Sequence, residues 1–207
     1  MVLRNFIVFE GIDGAGTSTQ LRRLGERDTD GRFFLTAEPT ELPTGRFLRR
    51  MLRGEFRADA RTAAHLFAAD RAEHLYGAGG VLEQCAAGRT AVSDRYLFSS
   101  LAYQAVQLGM DLPLHINGLF PLPCALFFFD IPAETAVERI KGRGTTEIYE
   151  KLDYLQQTRR FYDEVLDMYS GERGEGMEIV RIDATLPADE VEKIIWSKLR
   201  NLPTIKA

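Results

Sequence analysis

Only two cysteines, Cys85 and Cys124, occur in 207 residues, too few for a disulfide framework and without the spacing of metal ligands. Positive charge is not in excess either. Lys and Arg number 26 against 30 Asp and Glu, giving a net charge of −4 and a pI near 5.5, which argues against a sequence-independent nucleic-acid binder. Small anionic ligands stay open through local Arg clusters. No apolar run is long enough to span a bilayer, since the most apolar stretch, Leu119 to Ile131, is interrupted by Pro121, Pro123 and Asp130. The N-terminus carries no signal-peptide apolar core. The expectation is a cytoplasmic chain with neither nucleic acid nor membrane as partner. There is also no Pro/Ser-rich linker, internal repeat, heptad or low-complexity tract. With 45% hydrophobic residues the chain can bury one α/β core, so a single domain over residues 1–207 is expected.

One further gap is local. The segment Phe6-Ile-Val-Phe-Glu-Gly11-Ile12-Asp13-Gly14-Ala15-Gly16-Thr17-Ser18-Thr19 fits the phosphate-loop pattern G-x-x-x-x-G-K-[ST] except that Thr17 stands in the lysine position. Its apolar start reads as a buried strand, and Gly11, Gly14 and Gly16 free the loop to turn its amides inward. A helix beginning at Thr17 or Ser18 then adds its positive end. The nest so formed suits the β-phosphate of a nucleotide, with the Ser18 hydroxyl available to Mg²⁺. The competing reading is a glycine-rich strand-to-helix turn that binds nothing. Without the lysine the cradle survives, but its mobile charge must come from elsewhere or catalysis is weakened.

Five short apolar runs read as strands: Phe6 to Phe9, Phe33 to Thr36, Thr90 to Ser93, Ala125 to Asp130 and Glu178 to Ile182. Helical periodicity fits Thr62 to Tyr76, Leu97 to Leu108, Ala133 to Ile140, Tyr149 to Tyr169 and Ala188 to Leu199. This alternation, with strands apolar on both faces, predicts a three-layer α/β/α fold around a five-stranded parallel sheet. Functional residues should gather beyond the carboxyl ends of the strands. The first four strands end in polar groups: Glu10-Gly11-Ile12-Asp13, Thr36-Ala37-Glu38-Pro39-Thr40, Ser93-Asp94-Arg95-Tyr96 and Asp130-Ile131-Pro132. The first three can share one crevice, placing Asp13, Glu38, Asp94 and Arg95 near the loop. Asp94 then suits Mg²⁺ opposite Ser18, and Arg95 an acceptor phosphate. The plain alternative is a helix N-cap followed by a salt-bridged Arg.

Phe9-Glu-Gly-Ile-Asp-Gly-Ala-Gly16, Glu38-Pro39-Thr40, Phe67-Ala-Ala-Asp-Arg71-Ala-Glu-His74, Asp94-Arg95-Tyr96 and Ser99-Ser-Leu-Ala-Tyr-Gln104 together resemble the bacterial thymidylate kinases, in the same order and over essentially the whole chain. The resemblance implies a P-loop NTPase fold, Mg²⁺-dependent phosphoryl transfer from ATP to dTMP, and a homodimer. It implies that residues 11–19, from Gly11 to Thr19, hold ATP. It gives Phe67 a stacking role on thymine, Arg71, Ser100 and Gln104 contacts to the base edge, and Tyr103 a place beside the sugar that favours deoxyribose. Arg49 and Arg95 would grip the dTMP phosphate, Asp13 would contact the sugar hydroxyl and order the arginines, and Glu38 would complete the acceptor site. For Phe67 and Arg71 the plain alternative is a core aromatic and a surface ion pair with Asp70 or Glu73.

The chain departs from the family at several places. Gly14 stands where some members carry an arginine, so a catalytic cation is expected from a lid at about residues 139–150, with Lys141 and Arg143 as candidates beside Asp13 and Arg95. Ile148 replaces an arginine usual in that lid, and Ala37 replaces an arginine before Glu-Pro. Ile182-Asp183-Ala184-Thr185 resembles a segment lining the adenine pocket, or else a simple helix start. Three readings therefore stand: a dTMP kinase whose lid cation replaces the missing lysine, a catalytically impaired nucleotide-binding homologue, and a kinase for another monophosphate such as dUMP.

Overall fold

A computed structural model describes residues 1–141, 149 and 151–200. Five parallel strands, β1 (Val2–Glu10), β2 (Phe33–Ala37), β3 (Thr90–Asp94), β4 (Leu122–Asp130) and β5 (Glu178–Asp183), lie in the order β2-β3-β1-β4-β5. Phe6 to Phe9 of the central β1 and Leu126 to Phe129 of β4 are buried, because helices cover both faces there. β1 and β4 both start earlier than the apolar runs suggested, at Val2 and Leu122, and pair Val2 with Leu122 and Leu3 with Pro123. Hydrogen bonding rather than hydrophobicity sets those ends.

The helices are α1 (Thr17–Arg27), α2 (Pro43–Leu52), α3 (Ala60–Tyr76), α4 (Val81–Ala86), α5 (Leu97–Leu108), α6 (Asp111–Asn117), α7 (Ala133–Lys141), α8 (Leu152–Tyr169) and α9 (Ala188–Leu199). The β1-to-β2 connection runs across the sheet in the opposite direction to all later ones, so right-handed crossovers put α1 on one face and α3, α5 and α8 on the other. The packing agrees, with α1 against α9 and α5 against α3 and α8. The chain thus leaves two neighbouring strands, β1 and β3, towards opposite faces, which opens a crevice at their carboxyl ends.

Three expectations are corrected. α8 begins at Leu152 rather than Tyr149, because Lys151 is extended and Tyr149 sits in a turn. α2 was not anticipated, although Pro43 at its first position and the spacing of Phe47, Leu48, Met51 and Leu52 are ordinary helix signals. The short α4 and α6 were also missed, being too short to show periodicity. Beyond the main core, Leu48, Met51, Leu52 and Ala63 form a second cluster between α2 and α3, against which Phe67 packs. Among the described residues no helix is long and apolar enough to cross a membrane.

Candidate active site

The register brings the strand ends level, pairing Phe9 with Asp94 across β1 and β3, and Ala37 with Asp94 across β2 and β3. Two bonds continue the ladder: Arg95 N–H donates to the Phe9 carbonyl (2.8 Å) and Glu38 N–H to the Asp94 carbonyl (3.0 Å). The side chains that follow these strands are thereby held in one crevice, as the polar strand ends suggested.

The loop after β1 has the backbone of an anion cradle. Gly14 and Gly16 take left-handed conformations, φ 89° and 97°, that an L-residue with a Cβ adopts only under strain. A Cβ at Gly14 would also lie 2.5 Å from the Ala136 carbonyl, so α7 abuts the loop there. Gln20 N–H donates to Gly16 O (3.1 Å) as the first turn of α1, and the amides of Thr17, Ser18 and Thr19 are left at the open helix end. A cavity of about 70 Å³ is lined by Ile12, Asp13, Gly14, Gly16, Thr17, Ser18, Thr19 and Arg95. Thr17 is buried at its wall. Among the described residues Arg95 is the one cation lining this cavity.

Ser18 Oγ donates to Asp94 Oδ2, and Asp94 Oδ1 is buried without a hydrogen-bond partner among the described residues. A hydroxyl and an under-satisfied carboxylate in direct contact at the crevice fit Mg²⁺, which takes one or two protein oxygens and fills its shell with water and phosphate oxygens. Asp94 is not a helix cap: α5 starts after Tyr96 and is capped by no side chain of its own segment.

Beside the loop, Asp13, Arg95 and Tyr103 form one unit. Arg95 Nη2 donates to Asp13 Oδ1 (2.6 Å) and Nη1 to Ser99 Oγ (3.0 Å). The Tyr103 hydroxyl donates to Asp13 Oδ2 (2.8 Å) and accepts from Asp13 N–H (2.9 Å), and the Arg95 guanidinium lies 5.3 Å from the Tyr103 ring centre. Burial, and then the Asp13 carboxylate, push the Tyr103 phenol well above its ordinary range, so it stays neutral and donates.

A cleft of about 960 Å³ opens from this unit and is lined by Arg49, Phe67, Arg71, Ser100, Gln104 and Tyr149, among others. Phe67 is half-buried, so it is both packed on the α2–α3 cluster and presented to the cleft. Arg71 is 1% exposed, which removes the surface ion-pair reading. It bonds Glu38 Oε2 (2.7 Å), Ser100 Oγ (3.0 Å) and Asn117 Oδ1. Asp70 instead accepts from Thr40 N–H (2.8 Å) and the hydroxyls of Thr40 (2.6 Å) and Thr44 (2.8 Å), fixing the turn after β2. Glu38 lies behind Arg71, its other oxygen 2.9 Å from His74 Nδ1. The Nε–H of Arg71 and the Oε1 of Gln104 are buried without partners among the described residues, a donor and an acceptor on one cleft. Arg49 lines the rim, where it bonds the Pro39 carbonyl and lies 3.3 Å from Glu41.

Of the lid candidates, Lys141 is the exposed last residue of α7, while Arg143, Glu147, Ile148 and Glu150 lie outside the described residues. In the segment resembling an adenine-pocket wall, the Ala184 carbonyl accepts from Arg139 Nη1 (2.9 Å), tying α7 to the turn after β5. Several contributors escaped sequence reasoning: Glu10, Asn117, Tyr162, and the stacked pair Tyr149 and Tyr154 (ring centres 4.9 Å apart). For Glu10 a signal existed, an acid closing an apolar strand directly before a glycine loop.

Comparison with known proteins bears on the same residues. A family model described as thymidylate kinase matches residues 9–195. The chain is 40% identical to a putative thymidylate kinase of Treponema pallidum, over 99% of each chain. It is 38% identical to a putative thymidylate kinase of Aeropyrum pernix (86% of this chain, 84% of that protein) and 37% identical to a probable thymidylate kinase of Methanocaldococcus jannaschii (98% and 100%). With the match running from the end of β1 into α9, and so through the loop, the Asp94-Arg95 turn and the cleft, the chain belongs to the thymidylate kinase family.

Proposed function

We propose that this chain transfers the γ-phosphoryl group of ATP to dTMP, giving dTDP and ADP. The observation that carries the reading is that Arg71 and Gln104 line one cleft, and the buried Nε–H donor of the first and Oε1 acceptor of the second have no partner among the described residues. Thymine presents the complement, an O4 acceptor beside an N3–H donor, whereas cytosine presents the reverse. Leaving either buried group unpaired costs about 1–3 kcal/mol, so a base that satisfies both is selected strongly. Phe67 stacks on the ring, and Tyr103 stands at the sugar with Asp13. Arg95 has one N–H on each terminal nitrogen engaged by Asp13 and Ser99, and its remaining donors serve the acceptor phosphate, with Arg49 at the rim.

The loop from Gly11 to Thr19 holds the donor phosphates. In the transfer an oxygen of the dTMP phosphate bonds to the γ-phosphorus as the bond to the β-phosphate oxygen breaks, and ADP leaves. Catalysis here is chiefly positioning and electrostatic stabilisation. Ser18 and Asp94 would hold Mg²⁺, which neutralises phosphate charge when bound. Thr17 contributes no charge, so Lys141 on the helix that abuts the loop, or Arg143 in the lid, supplies the missing cation. A homodimer and a cytoplasmic location belong to the same proposal, as the family resemblance implies.

The test is a coupled assay with ATP and Mg²⁺ against dTMP, dUMP, dCMP, dGMP and UMP. A clear preference for dTMP is expected. Equal use of dCMP overturns the assignment of Arg71 and Gln104.

A further inference from the structure

Glu10 is a carboxyl with 0% exposure at the end of β1, and the chemistry above does not use it. Its Oε1 accepts the N–H groups of Tyr96 (2.8 Å) and Ser99 (3.1 Å), and its Oε2 the hydroxyls of Ser99 and Tyr162 (2.8 Å). Two of these donors are amides at the open N-terminal end of α5, so β1 caps α5 from outside its own segment. The third, Ser99 Oγ, is the atom that receives Arg95 Nη1.

Arg95 itself needs such support. It has φ 75°, a left-handed conformation that costs a non-glycine residue on the order of 1–3 kcal/mol and persists only where the surroundings fix it. Its own N–H is held by the Phe9 carbonyl and its carbonyl accepts from Ser93 Oγ (2.7 Å), while the next N–H, of Tyr96, is held by Glu10. Consecutive residues of β1 therefore clamp both sides of the strained position, and one of them reaches the guanidinium through Ser99.

We infer that Glu10 is a positioning residue that, through the Tyr96 amide and the Ser99 hydroxyl, fixes the Arg95 guanidinium for the acceptor phosphate. The inference rests on the reading of Arg95 as the phosphate grip. Burial pushes the Glu10 carboxyl up to about 7, against the pull of Arg95, Ser99 and Tyr162, so the folded chain disfavours its ionised form.

Calorimetric titration of Ser99→Ala, Glu10→Gln and Arg95→Ala with dTMP and with thymidine tests this, since thymidine has no phosphate. Ser99→Ala removes the relay and leaves the α5 amides paired with Glu10. Glu10→Gln keeps one acceptor and places a donor where Ser99 Oγ already receives Arg95. Each should weaken dTMP binding about tenfold, leave thymidine within about twofold, and add nothing on the Arg95→Ala background. Ser99→Thr, which keeps the hydroxyl, should restore dTMP affinity. If dTMP and thymidine weaken together, or if Ser99→Ala leaves dTMP binding unchanged, the positioning role is overturned; should Glu10→Gln fail to fold, Ser99→Ala alone decides. Undiminished dTMP binding by Arg95→Ala removes the phosphate assignment first and this inference with it.

Discussion

Arg95 and Arg71 bring the same charge into one cleft, and the proposed function assigns them opposite ends of the nucleotide. Arg71→Ala should weaken dTMP and thymidine alike, because it removes the proposed base contact and leaves the buried Glu38 Oε2 without its arginine, with His74 alone on the other oxygen. Arg95→Ala should weaken dTMP by about 2 kcal/mol or more, the scale of a charge-assisted hydrogen bond, and leave thymidine nearly untouched. Affinities measured with both ligands separate the two, and the reverse pattern means that the roles are exchanged. Glu10 gives a second prediction. Its folded value of about 7 lies above the ordinary 4.5, so between those values the folded chain retains a proton that the unfolded chain has released. Its stabilising contribution is complete below about 4.5 and lost as the pH rises through about 7, a change of roughly 3 kcal/mol. Glu10→Gln cannot ionise and should gain stability relative to the wild type between pH 5 and pH 8, as read from urea midpoints. A constant gap contradicts the raised value. That Asp13, Asp94 and Arg95 share one crevice was legible in the sequence because parallel strands end on the same side of the sheet, and Ser18 joins them through its place in the loop pattern. The pairing of Arg71 with Glu38 was not, since a helical arginine near Asp70 and Glu73 reads as surface until the sheet places Glu38 beneath it.

Between elements, the junction of β3 with the first turn of α1 carries Asp94 and Ser18. Asp94→Asn should cut turnover by at least tenfold with little change in dTMP affinity, because a carboxylate serving Mg²⁺ acts on the transferring group. Normal turnover at limiting Mg²⁺ removes Asp94 from the metal site. Where α7 abuts the loop, the Thr17 question becomes testable. Lys141→Ala or Arg143→Ala should cost far more than a peripheral charge does, and Thr17→Lys should restore part of the loss. Strict additivity of turnover across the double variants means that loop and lid charges share no task. The five strands were legible as short continuous apolar runs, and α7 and α8 by their apolar period, which α3 scarcely shows. α2 was overlooked in a segment crowded with arginines, although it carries Arg49 to the rim. Tyr149 was assigned to a helix because the periodicity runs on past an extended Lys151 that ends it.

At the scale of the whole molecule, function follows from strand order. β1 and β3 are neighbours whose following helices go to opposite faces, so the glycine loop and the Asp94-Arg95 turn meet at one crevice and the larger cleft opens beside it. The alternation of strands and helices predicted the parallel sheet. It could not give the order of the strands, which depends on pairings between segments distant in sequence. This arrangement sets the proposed acceptor cleft beside a loop that lacks the usual lysine of its pattern, and the central claim is that transfer still occurs. The direct measurement is product formation by the wild-type chain with ATP, dTMP and Mg²⁺, with ADP and dTDP quantified together. Equimolar ADP and dTDP accumulating over many turnovers is the predicted result. Saturable binding of both nucleotides without dTDP, or ADP released without dTDP, would contradict it.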